Sequence, residues 1–343
     1  MNKSIFSLFI LLLAAVGAEA KYWKIGPSSV IGMDFASIND AMSSSDVTKG
    51  DTLYLDQYYN ESSDQTVTKQ VVIIGTGYDT SLTDEHVVAR LTSALHLKAK
   101  GIVVKSVRLE NVYFYNEECT VERCYMTSGK TQSTTAGLNH IYSCYVNGPI
   151  SGYDSYNFSK YDIQNCVIFI NYNSNNIFNL TSSIIRFNTI LRNYSSSSLY
   201  CMNAITNSII TNNIILCYTS SYYDYDISSN VYSSGSGNSI EHNLLSRSTS
   251  LSYYPTNKYG YGSKLSELFV RTGSYSDYYK LAEKSAALEY ATDGGEVGCH
   301  GGMFGCPSGG RPQYIPYFTK VTVGSRSENG KLPVSVTIKI QEE

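Results

Sequence analysis

The sequence predicts an all-β chain wound as a parallel solenoid, and three observations predict it. First, a six-residue pattern recurs between residues 121 and 245: a β-branched residue, two variable residues, Cys or Asn, one variable residue, an apolar residue. Second, its copies centre on Cys124, Cys144, Cys166, Asn188, Asn213 and Asn243, at spacings of 20, 22, 22, 25 and 30 residues, the range that marks stacked repeats. Third, the segments between copies are made of Ser, Asn, Gly and Tyr, which are poor or indifferent helix formers. A sandwich of antiparallel strands would place its turns about every 8–12 residues, roughly half the observed period.

Within each copy the two apolar positions lie five residues apart, as in Ile163 and Ile168. An unbroken strand would send them to opposite faces, so a corner must lie between them if both face inward. Asn suits such a corner because it tolerates the left-handed backbone conformation, and Cys suits a tight, buried stack. Each copy therefore reads as two short strands meeting at a bend, with the six central residues piled in one column. The outward positions beside the second strand are partly apolar (Val167, Phe169, Leu191, Ile214, Leu216). That wall needs a cover, supplied by loops, by the C-terminal segment or by another molecule.

Before the repeats, Phe35, Ile38, Ala41 and Met42 lie on one face of a short helix, with Asp34 placed to cap it. Such a helix would close the open apolar end of the stack. After residue 310 the chain alternates apolar and polar residues over 317–323 and 332–340 around Ser327-Glu-Asn-Gly330, which reads as a hairpin over the last rungs. The expected organisation is an export signal at 1–20, a solenoid domain at 21–310 and a packed hairpin at 311–343. The signal rests on Lys3, the apolar run Ile5 to Val16 and the cleavage pattern Ala18-Glu-Ala20. It predicts a secreted, periplasmic or cell-surface protein with no transmembrane segment. The net charge of −3 gives no basic footprint for nucleic acid.

The run Phe35-Ala-Ser-Ile-Asn-Asp-Ala-Met42, Gly50-Asp-Thr-Leu-Tyr-Leu55 and Ile74-Gly-Thr-Gly77 resembles the opening of right-handed, single-stranded parallel β-helix proteins of the pectate-lyase-like group. Tyr279-Lys-Leu-Ala-Glu-Lys-Ser-Ala-Ala-Leu288 resembles their closing rung, and Asp293-Gly-Gly-Glu-Val-Gly-Cys-His-Gly-Gly302 resembles an exit motif of secreted Bacteroidota proteins. The resemblance implies the column at the corner between the second and third sheets. It also raises polyuronate lyase chemistry, in which acidic calcium ligands and an Arg or Lys on neighbouring rungs act on the sugar. The position two before each corner reads Glu122, Tyr142, Gln164, Arg186, Thr211, Glu241, with no acidic cluster beside a base. Arg186 and Arg192 are the nearest basic candidates, and a Tyr could serve as the base; calcium is implied only if the chain is a lyase. The hydrolase motif of the group is absent, and Asp224 with Asp226 is the best acidic pair.

The chain carries 31 Tyr. Tyr offers a flat apolar face to a sugar ring and a hydroxyl to its oxygens, so an extracellular glycan is the expected partner. The candidate ligand residues are Tyr222, Tyr223, Tyr225, Tyr253 and Tyr254, in loops that interrupt the stack. Binding is expected ahead of catalysis, with a polysaccharide lyase and a purely adhesive surface protein as alternatives. Cys299 and Cys306 bracket a Gly-rich loop and form the expected disulfide. Zinc on Cys299, His300 and Cys306 lacks a fourth ligand, so no metal is expected. Cys119, Cys201 and Cys217 stay unassigned.

Overall fold

The computed structural model describes residues 20–78, 88–133, 137–154, 157–194, 199–219, 225–248, 250–270, 279–306, 317–323 and 334–339. The chain coils into a tube walled by two long parallel sheets. The first sheet takes one short strand from each rung, ten in all, from Tyr22–Ile25 at one end to Ser239–Glu241 at the other. The second holds thirteen strands and forms the other two walls. This is the parallel β-helix architecture that the repeats predict.

Both apolar positions of every copy point inward. Leu53, Ile73, Val104, Val121, Ile141, Ile163, Ile185, Ile210 and Ile240 stack in register in the first sheet, and all are buried. Met126, Val146, Ile168, Ile190, Ile215 and Leu245 stack likewise in the second. Identical positions of successive turns thus face one another at the ~4.8 Å strand spacing, and the tube interior becomes one continuous core.

The corner column stands between these two stacks. The Cys124 and Cys144 amides donate to the sulfurs of Cys144 and Cys166, each at 3.4 Å. The Cys166, Asn188 and Asn213 amides donate to the Oδ1 atoms of Asn188, Asn213 and Asn243, each at 2.9 Å. Asn257 adds a seventh member, accepting from the Asn243 amide at 2.9 Å. The reason given for Asn here requires correction. The left-handed residue is the one before each column member from Cys124 to Asn243: Arg123, Ser143, Asn165, Phe187, Asn212 and His242, with φ between 51° and 60°. The column residues are selected instead for side chains that carry a hydrogen bond to the next turn inside a buried stack.

A second column stands at the other end of the later first-sheet strands, from Thr120–Glu122 onward. Asn139 Oδ1 accepts from the Cys119 amide, Ser183 Oγ from Tyr161, Ser208 Oγ from Ser183 and Asn238 Oδ1 from Ser208, at 2.9 to 3.0 Å. Cys119 belongs to this column. Cys201 and Cys217 line the tube interior.

The N-terminal end is closed by the helix Ile38–Ser43, which buries Ile38, Ala41 and Met42. Its cap is Ser37, whose hydroxyl accepts from the Asp40 amide; Asp34 instead accepts from the Lys24 amide at 2.8 Å. The Asn39 side chain accepts from Thr66 N–H and donates to Asp64 O, standing in for the strand that the first turn lacks. The outer apolar wall is covered by residues 265–270 and 279–306: Leu268, Phe269, Leu281, Ala287, Val297 and Cys299 pack on Val167, Leu191, Ile214, Leu216 and Leu244. The stretch 279–288 is therefore no closing rung but part of this cover, since Leu281 pairs antiparallel with Phe269 outside the tube. The last turn is the short one around Asn257. Tyr317–Val323 and Val334–Lys339 pair antiparallel as the expected hairpin.

Candidate functional site

On the third wall, one outward side chain per turn lines up along the tube: His96 beside Tyr113, then Lys130, Ser151, Phe178 and Asn203. The alternation of the strands forces this, because the inward positions between them are taken by core residues such as Leu95, Val112 and Ile177. Most of these outward residues are half-buried between their neighbours on the adjacent turns. The His96 and Tyr113 rings lie 5.1 Å apart, and His96 and Tyr115 5.7 Å. His96 Nδ1 lies 3.1 Å from the Tyr115 hydroxyl and Nε2 lies 3.5 Å from Asp64 Oδ2. Hydrogen bonds from Ser93, the Ala94 amide and His96 hold the Asp64 carboxyl below its ordinary value, so it stands ionised beside the imidazole. Lys98 lies over the Tyr115 ring at 5.4 Å. The arrangement joins flat aromatic faces, a cation, a hydroxyl and an amide in one line. Such a line offers stacking faces and hydrogen-bonding groups to a polar, ring-bearing polymer.

A second polar cluster lies on the outer face of the first sheet. The Tyr142 hydroxyl donates to Asp162 Oδ2 at 2.7 Å, and His140 Nδ1 lies 2.7 Å from the same hydroxyl. Gln164 Nε2 donates to Asp162 Oδ1 at 2.7 Å. Burial raises the Asp162 pKa, but the bonds from His140, Tyr142 and Gln164 outweigh it and hold the carboxyl ionised below its ordinary value. Burial and then Asp162 push the Tyr142 phenol well above its ordinary range. Tyr142 is thus kept protonated, the wrong state for a base. Its ring is also covered by Phe304, stacked at 4.2 Å and 7°. Arg186 stands on the next turn from Gln164, with a buried Nε that has no hydrogen-bond partner.

The other expected site residues are dispersed. Arg192 points into the tube, fully buried, with Nη1 3.9 Å from the Cys217 sulfur and with Nε and Nη2 unpartnered. Asp226 is buried in a salt bridge with Arg247 at 2.8 Å, and Arg247 lies 4.4 Å over the Tyr232 ring. Tyr254 packs with Tyr232 at the C-terminal end of the core and donates to Tyr232 O. Tyr225 packs at a tilt against Tyr200, ring centroids 5.2 Å apart. Of the expected ligand tyrosines in the described residues, Tyr253 alone is strongly exposed, at 82%. Tyr222, Tyr223 and Asp224 lie outside the described residues. Arg192 and Asp226 therefore serve the interior and are no part of a surface site. The Cys299 and Cys306 sulfurs lie 3.0 Å apart as thiols. Burial raises the Cys299 pKa, while Cys306 and His300 bring it down to about 7.

His140 and Asp162 were legible. Each first-sheet strand has an outward residue on both sides of its inward one, and only the later of the two was read for chemistry. His96, Tyr113 and Lys130 sit in strands that precede or fall between the corner copies and carry no repeat signal of their own. Among the described residues, the one group of three or more His, Cys, Asp or Glu side chains close enough to share an ion is Cys299, His300 and Cys306. No helix of the described residues is long and apolar enough to cross a membrane. Comparison with protein-family models, with curated proteins and with solved structures finds no match to this chain.

Proposed function

We propose that this protein binds an extracellular polysaccharide along the line of outward side chains that runs from His96 through Tyr113, Lys130 and Phe178 to Asn203. One observation carries the reading. Adjacent turns present His96 and Tyr113 as neighbouring rings, with Lys130 on the following turn. Stacking would be supplied by the rings, and Lys130 would favour an acidic polymer. The opening and exit motifs support a right-handed, pectate-lyase-like β-helix of bacterial, Bacteroidota-like origin, and the apolar N-terminal segment supports export. The platform differs from the one expected from the Tyr-rich loops, because Tyr225 and Tyr254 are used in internal packing.

Retention on immobilised uronic-acid and neutral polysaccharides tests this. Retention is expected for the unaltered protein. Tyr113→Ala is expected to weaken it roughly tenfold, equivalent to the ~1.4 kcal/mol of one good aromatic contact. Lys130→Ala should weaken binding of acidic polymers most, and most at low salt. Undiminished retention in both folded variants refutes the reading. The second reading is elimination on a uronate, favoured by the Asp64–His96 pair beside Lys98 and Lys130. In that case the same incubation yields absorbance from unsaturated chain ends, and His96→Ala abolishes it.

A further inference from the structure

We propose that Cys299, His300 and Cys306 form a binding site for a borderline-soft divalent cation such as zinc, built into the strap that covers the outer wall. The three donor atoms lie within 4.8 Å of one another. Two sulfurs and an imidazole nitrogen are the donor set that such cations prefer over oxygen-binding ones. The geometry needs little change. Zinc–sulfur bonds of ~2.3 Å at a tetrahedral angle set the sulfurs ~3.8 Å apart, and here they stand at 3.0 Å. The sulfurs must move apart by under about 1 Å by that estimate. Three protein donors leave the fourth position to water or an incoming ligand.

The site is held from outside by contacts that do not involve its donors. Asn165 Nδ2 donates to the carbonyls of Cys299 and Gly301. The Cys299 amide donates to Thr189 Oγ1 at 3.1 Å. Ser143 Oγ donates to Phe304 O and Gly305 O at 2.9 and 2.8 Å. Gly301 leaves no room for a side chain, since a Cβ there would stand 1.9 Å from Glu296 O and 2.8 Å from the Phe187 ring. The backbone that carries the donors is thus fixed against the corner turns before any ion arrives, which lowers the ordering cost of binding. One consequence follows for the neighbouring cluster. Phe304, two residues before Cys306, is stacked on Tyr142, so an ion drawn between Cys299 and Cys306 also fixes the ring that lies over Tyr142 and Asp162.

The test uses the whole protein, reduced, freed of metal and titrated with cobalt(II). The expected result is thiolate-to-cobalt charge-transfer absorption and visible d–d bands that saturate at one ion per chain and vanish when zinc(II) is added. Cys306→Ser and His300→Ala are each expected to weaken cobalt binding at least about tenfold, with circular dichroism showing that the variants are folded. Absence of thiolate bands in the reduced protein overturns the proposal. So does a folded Cys306→Ser protein that takes cobalt as tightly as the unaltered chain. Isolation of the chain with a Cys299–Cys306 bond that reductant and zinc together fail to displace overturns it as well.

Discussion

Replacing Asn213 by Ala tests the corner column most directly. Asn213 is fully buried. Its Oδ1 accepts from the Asn188 amide at 2.9 Å and from Asn188 Nδ2 at 3.0 Å. Its Nδ2 donates to Ile185 O at 2.8 Å, Thr211 O at 2.9 Å and Asn243 Oδ1 at 3.0 Å. Alanine leaves the Asn188 amide with no acceptor inside the protein, at ~1–3 kcal/mol. It also withdraws donors from two carbonyls, at ~0.5–1.5 kcal/mol each. The sum is roughly 2–6 kcal/mol. Cysteine should cost much less, because Cys144 and Cys166 already fill the same column position and accept from the amide of the preceding turn. Aspartate should cost more than alanine at neutral pH. It keeps the acceptor for Asn188 but turns a carboxylate oxygen toward Ile185 O, Thr211 O and Asn243 Oδ1. Acidification should recover part of that loss, since a protonated carboxyl donates one bond. Urea unfolding followed by circular dichroism gives the order, and hydrogen exchange at the Asn188 amide shows whether the loss is local. An alanine variant within ~1 kcal/mol of the unaltered chain, or an aspartate variant more stable than it, refutes the account.

Two further predictions concern buried charge. The Asp51 carboxylate accepts from Trp23 Nε1 at 2.9 Å and from the amides of Lys21 and Thr48 at 2.8 and 2.9 Å. Burial pushes its pKa up, but these bonds outweigh it and hold the group below its ordinary value of 3.8. Its stabilising contribution is therefore complete above pH 3.8 and is lost as pH falls through the lower folded-state value. Trp23 is the sole tryptophan, so its emission should shift to the red in that window, and an Asp51→Asn protein that shifts at the same pH removes the assignment. Separately, Arg192→Met should be neutral or stabilise by ~1–3 kcal/mol, because it removes a guanidinium with two unpartnered buried nitrogens. A loss above ~1 kcal/mol in urea unfolding would mean that Arg192 has a partner in solution.

The architecture was legible because the corner column repeats a chemical demand in every turn. What the pattern could not locate was the strained residue. Arg123, Ser143, Asn165, Phe187, Asn212 and His242 share only the lack of β-branching, so the left-handed step was credited to the Asn beside it. Asn257 escaped because its flanks are Tyr254 and Tyr259, where the other copies carry aliphatic residues, and because its turn has shrunk to a 14-residue step. The second column also lay in plain sight: Cys119, Asn139, Ser183, Ser208 and Asn238 each precede an inward residue by two. The function was less legible. Tyrosine content drew attention to the loops at the C-terminal end, where Tyr232 and Tyr254 close the tube. The outward line from His96 to Asn203 draws one side chain from each of several distant strands, and their alignment exists only once the turns are stacked.

Steps of 14, 20, 22, 25 and 30 residues all arrive at the same vertical line. The coil is therefore indifferent to how much chain it spends between one corner and the next. A whole turn could be duplicated or deleted at such a joint, and the neighbours on either side would meet the same amide or thiol as before. The wall that carries His96, Tyr113, Lys130 and Phe178 can then lengthen or shorten in whole turns, while the loops between corners vary independently of it.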